Sequence, residues 1–185
     1  MFGRERKPSQ SGSRAYWHLL NLMESADRNL HVSELELIES LELQAVSGAA
    51  IYEDVVPALS ELKAMNIQLF MASSLSHTAI SRFLDGYSLR QLFSGAWDRD
   101  NSHGIKLGPI QATMASANLK FDRTMFLTDT IEGLKAAGAC GVHPIAMMND
   151  PDEGRRLAMH NPAGGIVSLH ELPDFIRLLV AENAR

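Results

Sequence analysis

The sequence has a single cysteine, Cys140, so no internal disulfide can staple the fold. A chain of 185 residues without one has to rely on an apolar core, and a reducing, cytoplasmic setting is expected. No run reaches roughly 18 apolar residues, which excludes a helical membrane span and, with it, a membrane partner. Positive charge is not in excess. Seventeen Lys and Arg against 22 Asp and Glu leave a net charge of -5, which argues against nucleic acid as the main partner. The opening residues 1–13 have charge but no apolar stretch behind it, so they do not read as a signal peptide. Phe2 is their only large apolar side chain after the initiator, and a disordered tail is expected. The seven histidines are scattered, and no grouping with cysteine has the spacing of a zinc site.

What is present is the composition of an ordinary soluble globular domain, 45% hydrophobic and 21% charged. Residues 14–48 carry two helical patterns. The first places Trp17, Leu20 and Met23 at three-residue steps. The second opens on Ser33 with Glu36 three places later, a capping-box pattern, and continues through Leu35, Leu37, Ile38, Leu41 and Leu43. The pair reads as a helical hairpin ending at Gly48. From residue 49 onward the texture alternates. Helices are expected at Glu53–Met65, Ser76–Leu84, Pro109–Asn118, Ile131–Ala139 and Glu171–Asn183. Strands are expected at Ile67–Ala72, Thr124–Thr128 and Val142–Met147, with a short element at Phe93–Trp97 and another strand starting near Gly165. Alternation of this kind builds an α/β fold around a parallel sheet with helices on both faces. Ligands then sit beyond the carboxyl ends of the strands.

Three strand-end features stand out. The first strand runs into Ser73-Ser74-Leu75-Ser76, just before a helix. Hydroxyls and free amides there suit an anion, although Ser76 as a simple helix cap explains the same residues. The later strand ends in Thr128-Asp129-Thr130, where Asp129 either ligates a hard cation such as Mg²⁺ or caps the next helix. Between them, Lys106 lies in the glycine-flanked loop His103-Gly104-Ile105-Lys106-Leu107-Gly108, able to bring a point charge to a phosphate.

The order of these features, a hydroxyl, a lysine about thirty residues on and an aspartate after the next strand, resembles the haloacid dehalogenase (HAD) superfamily of phosphohydrolases. The matching segments are FMASSLS, HGIKLGP and FLTDT. Within that superfamily, IYEDVVPAL and FLTDTIEGLKAAGACGV look most like the enolase-phosphatase branch. The resemblance implies a Rossmann-like HAD core at 49–185 and a small helical cap at 14–48. It implies that Ser73, Ser74 and Lys106 bind the phosphate of a small phosphorylated metabolite, and that Asp129 helps to hold Mg²⁺. Ser73, Lys106 and Asp129 are thus the catalytic candidates.

The sequence departs from that pattern in two places. The superfamily's first motif, DxDx[TV], carries the nucleophilic aspartate at the end of the central strand, and it is absent before the helical hairpin. Asp98-Arg99-Asp100 and Asp150-Pro151-Asp152 occur elsewhere and read as loop carboxylates. The second acid of the Asp129 motif is also missing: the two positions that usually supply it are Thr128 and Gly133. The expectation is therefore a phosphatase scaffold that is truncated or impaired, with Mg²⁺ bound weakly. The sheet should have a gap at its centre. A start placed too late, a natural truncation that repacks, or a strand donated within a homo-oligomer would each account for it. The alternative is a non-enzymatic module that binds a phospholigand or a protein on the same scaffold. Cys140 reads as a packed thiol, and Gly164-Gly165 as a turn.

Overall fold

The computed structural model describes residues 32–183. The expected tail and the first helix of the hairpin lie outside these residues. The chain divides at Ile38–Glu39 into two compact units, and the fold below is that of the second. Among the described residues, no helix is long and apolar enough to cross a membrane.

The elements in order are α1 (Val32–Gly48), α2 (Val55–Ala64), β1 (Phe70–Ala72), α3 (His77–Gly86), β2 (Gly95–Trp97), α4 (Leu107–Ser116), β3 (Met125–Thr128), α5 (Ile131–Ala139), β4 (His143–Met147), α6 (Pro151–Ala158), β5 (Gly164–Ile166) and α7 (Leu172–Asn183). The α/β alternation is as the sequence implied, and every pairing is parallel. Caps account for several boundaries. Ser76 Oγ accepts from the Ala79 amide at the start of α3, and Thr130 Oγ1 accepts from the Gly133 amide at the start of α5. Asn66, at φ 61°, closes α2 in the left-handed region that asparagine tolerates.

The strands do not form one sheet. Among the described residues β1 pairs with β2, while β3, β4 and β5 form a second sheet in that order. Helices bind the two sheets together on both faces. On one face, Ile110 and Met114 of α4 and Ala136 and Ala137 of α5 pack with Ala72 beside β2 and Phe126 of β3. On the other face, Leu62 of α2 and Ile176 of α7 pack with Leu69, Met125 and Leu127. Successive residues of β3 thus feed opposite layers, the period-two alternation of a doubly covered strand.

Three expectations need correction. The leucine stripe of α1 faces outward, with Leu37 60% exposed; the buried side chains are Ile38 and, one turn on, the carboxylate Glu42. Asp150-Pro151-Asp152 is not a loop but the start of α6. Asp150 Oδ1 accepts from the amides of Asp152 and Glu153, with Pro151 in the first turn, where a missing N–H costs nothing. Gly164-Gly165 belongs to β5 rather than to a turn. A Cβ there would come within 2.4 Å of Phe175 or 2.8 Å of Met148, so absent side chains let α7 and Met148 close onto the strand.

Candidate functional site

The turn after β1 is Ser73–Ser76. Ser73 is half-buried, and its hydroxyl accepts from the Leu75 amide at 3.2 Å. Ser76 is buried and caps α3, so the helix-cap explanation of that serine holds. Two more amides at the start of α3 meet carboxylates: Ser76 N donates to Glu42 Oε2 at 3.1 Å and His77 N to Asp100 Oδ2 at 2.7 Å. Acidic side chains of the chain itself thus already face the positive end of this helix.

Sequence reasoning missed how much the segment after β2 contributes. Asp98 is fully buried, not a solvated loop carboxylate. Its Oδ1 accepts from the amides of Asp100 and Asn101, and its Oδ2 lies 2.9 Å from His77 Nδ1. Arg99 is 7% exposed and grips Glu42, which is 1% exposed, through both carboxylate oxygens. The one sequence signal for this was the Asp-Arg-Asp string itself. Nothing in the periodicity of α1 marks Glu42 as its partner.

The lysine loop is shaped by its glycines. Gly104 sits at φ +102°, where a Cβ would be strained. At Gly108 a Cβ would lie 1.9 Å from the His103 carbonyl oxygen, so only glycine lets the chain fold back that closely. Lys106 is half-buried at the N-cap of α4. Because Leu107, Ile110 and Met114 of that helix share a core with Ala72 and Phe126, α4 links the lysine loop to the strands that lead to Ser73 and Asp129.

Asp129 follows β3 and is exposed. It does not cap α5; Thr130 does. Its Oδ2 accepts from Asn149 Nδ2 at 3.4 Å, from the end of the neighbouring β4. The two positions where a further acid was sought face each other. A Cβ on Gly133 would meet Thr128 Oγ1 at 2.2 Å, and Thr128 Oγ1 lies 3.1 Å from Thr130 Oγ1. That space is filled by threonine hydroxyls, with no room for an acid at 133 beside Thr128. Among the described residues no three His, Cys, Asp or Glu side chains cluster as a metal site. Asp129 gives Mg²⁺ one carboxylate, the least that such a site uses, so the rest of its hold would have to come from substrate phosphate. Cys140 is buried and free, and burial pushes its thiol up, as expected of a packed thiol.

The chain was compared with known proteins. The family described as haloacid dehalogenase-like hydrolase matches residues 19–147. The enolase-phosphatase E1 of Enterobacter sp. (strain 638) is 32% identical over 108 residues, 56% of this chain and 47% of that protein. The enolase-phosphatase E1 of Gluconacetobacter diazotrophicus is 28% identical over 137 residues, 69% of this chain and 57% of that protein. The chain thus spans about half the length of the curated relatives it matches. Among solved structures, a haloacid dehalogenase-like hydrolase of Streptococcus pneumoniae superposes with a TM-score of 0.73 at 14% identity, over 92% of this chain and 83% of that one. A HAD phosphatase of Thermococcus onnurineus gives 0.68 at 17% identity, over 88% and 78%.

Proposed function

This chain belongs to the haloacid dehalogenase-like hydrolase family, and on that premise we propose that it stands on the enolase-phosphatase branch and carries the phosphate-binding half of a phosphomonoester hydrolase for a small phosphorylated metabolite, with turnover impaired in this polypeptide. In this reading Ser73 and Ser74 donate hydroxyl hydrogen bonds to the phosphoryl oxygens, and Lys106 neutralises their charge. Residues 14–48 act as a helical cap over a core at 49–185, and the setting is the cytoplasm. The observation that supports the proposal is that the Ser73 turn and Asp129 each follow the carboxyl end of a parallel strand, β1 and β3, with α4 of the lysine loop packed against residues of both.

Phosphoryl transfer to a carboxylate needs a nucleophile positioned in line with the leaving group. The sequence offers no DxDx[TV] motif for that task. Mg²⁺ would supply charge neutralisation on the transferring group, but Asp129 with Asn149 nearby is a sparse donor set, and no step is routed through the metal here. What the residues of this chain can do is bind and orient a phosphate. The intact glycine geometry around Lys106, beside this sparse metal site, also favours a second reading: a module that binds a phospholigand without turning it over.

An assay with p-nitrophenyl phosphate and Mg²⁺ tests this, run on the chain as it stands and on a form extended upstream in the same reading frame. Absence of turnover in the present chain is the expected result, and activity of the extended form would assign the nucleophile to the added segment. Activity of the present chain that disappears in Asp129→Asn would overturn the impairment. If neither form turns over while inorganic phosphate raises the melting temperature, and Lys106→Ala abolishes that rise, the binding module is the better reading.

A further inference from the structure

The four residues of the turn after β1 are each held by a contact from elsewhere in the chain. Ser73 N donates to the Trp97 carbonyl at 3.0 Å, and Leu75 O accepts from Arg99 N at 3.4 Å. Ser74 O accepts from Arg99 Nη1 at 3.0 Å. Ser76 N donates to Glu42 Oε2 at 3.1 Å, and the same oxygen accepts from Arg99 Nη2 at 2.9 Å. Glu42 stands on α1, 57 residues before Arg99. Both side chains are shielded from water, which makes the pair unlike the half-exposed Arg177–Glu61 and Arg90–Asp85 pairs.

A buried ion pair is weak evidence for stability, because apolar side chains of similar volume often serve as well. What a carboxylate and a guanidinium add is direction: fixed acceptors and a planar fork of donors impose a geometry that apolar packing does not. We infer that Glu42 and Arg99 are positioning residues, which hold the Ser73–Ser76 turn in register with α1 so that the two move as one unit. The inference rests on the reading of Ser73 as a phosphate ligand only for its functional consequence; the mechanical coupling stands without it.

Hydrogen exchange on the full chain tests the coupling, using Arg99→Lys, which keeps the charge but not the fork, and Glu42→Gln, which keeps the shape but not the charge. In each folded variant the amides of 73–77 and of 40–46 should exchange about tenfold faster together, while those of α6 are unchanged. If the 73–77 amides of either folded variant keep their parental rates, or if only one of the two segments loosens, the coupling is overturned. A second readout separates positioning from charge. Glu42→Gln leaves an extra positive charge beside the turn and Arg99→Gln an extra negative one. A purely electrostatic role would strengthen inorganic phosphate binding in the first and weaken it in the second, whereas positioning weakens it in both. Opposite signs would overturn the inference. A parent that binds no phosphate would count against the phosphatase reading, and the exchange experiment would still decide the coupling.

Discussion

The turns that follow β1 and β3 are built from similar small polar residues, Ser73-Ser74-Leu75-Ser76 and Thr128-Asp129-Thr130. They are supported in opposite ways. The first is enclosed by charge: Glu42, Arg99, Asp98 and Asp100 all reach it or the helix start behind it. The second is supported by hydroxyls and a glycine, and its one carboxylate points to solvent with a single amide beside it. The difference separates geometry from chemistry. The β1 turn is rigidly specified but has spent its charges on itself, whereas the β3 turn is lightly built and leaves its carboxylate available.

The contrast is broken most severely by leaving one buried charge without its partner. Arg99→Ala should cost about 3–5 kcal/mol, because the buried Glu42 carboxylate then loses the guanidinium that grips both of its oxygens. Replacing both, as Glu42→Leu with Arg99→Met, should be close to neutral. Urea unfolding of the three proteins measures both effects, and equal losses in the single and double variants would refute the enclosure by charge. Arg90→Ala is the control. Its partner Asp85, held below the usual carboxylate range by the hydrogen bond from Arg90, is exposed, and the midpoint should barely move.

The β3 turn should respond to size rather than charge. Gly133→Ala brings a methyl onto Thr128 Oγ1 and Thr130 Oγ1 and should cost about 1–3 kcal/mol, despite the better helix propensity of alanine. Adding Thr128→Ala opens the space, and the double variant should recover part of the loss. A double-mutant cycle by thermal denaturation gives the coupling; strict additivity would mean that the two sites do not touch. Removing the cap with Thr130→Ala should cost about 1 kcal/mol, seen as earlier melting in the same experiment.

Local signals carried most of the elements. Helix α5 begins and ends where Thr130 and Gly141 indicate, since its cap and its left-handed closure are both local. Asp150-Pro151 is an equally local start for α6, an N-cap acid followed by a first-turn proline. The expected strand at Ile67–Ala72 is Phe70–Ala72 in the structure, matching the three residues of β2 that pair with it. The orientation of α1 was not legible at all. Its leucines make the better apolar stripe, but an ion pair 57 residues away in sequence turned Glu42 inward. Long-range charge pairing leaves no periodic trace, so the most enclosed part of the candidate site was the part the sequence concealed.

The smallest expected effect on stability sharpens the contrast furthest. Asp129→Asn removes an exposed charge that caps no helix and that accepts from the Asn149 amide. The unfolding midpoint should stay within about 0.5 kcal/mol of the parent. If Asp129 instead proves to be needed for stability, its position is structural, and the case for a cation or a substrate at that strand end falls with it. If it is dispensable for stability but turnover of the upstream-extended form vanishes with it, the lightly built turn is the chemical half of the site and the charge-enclosed turn is the half that holds the phosphate in place.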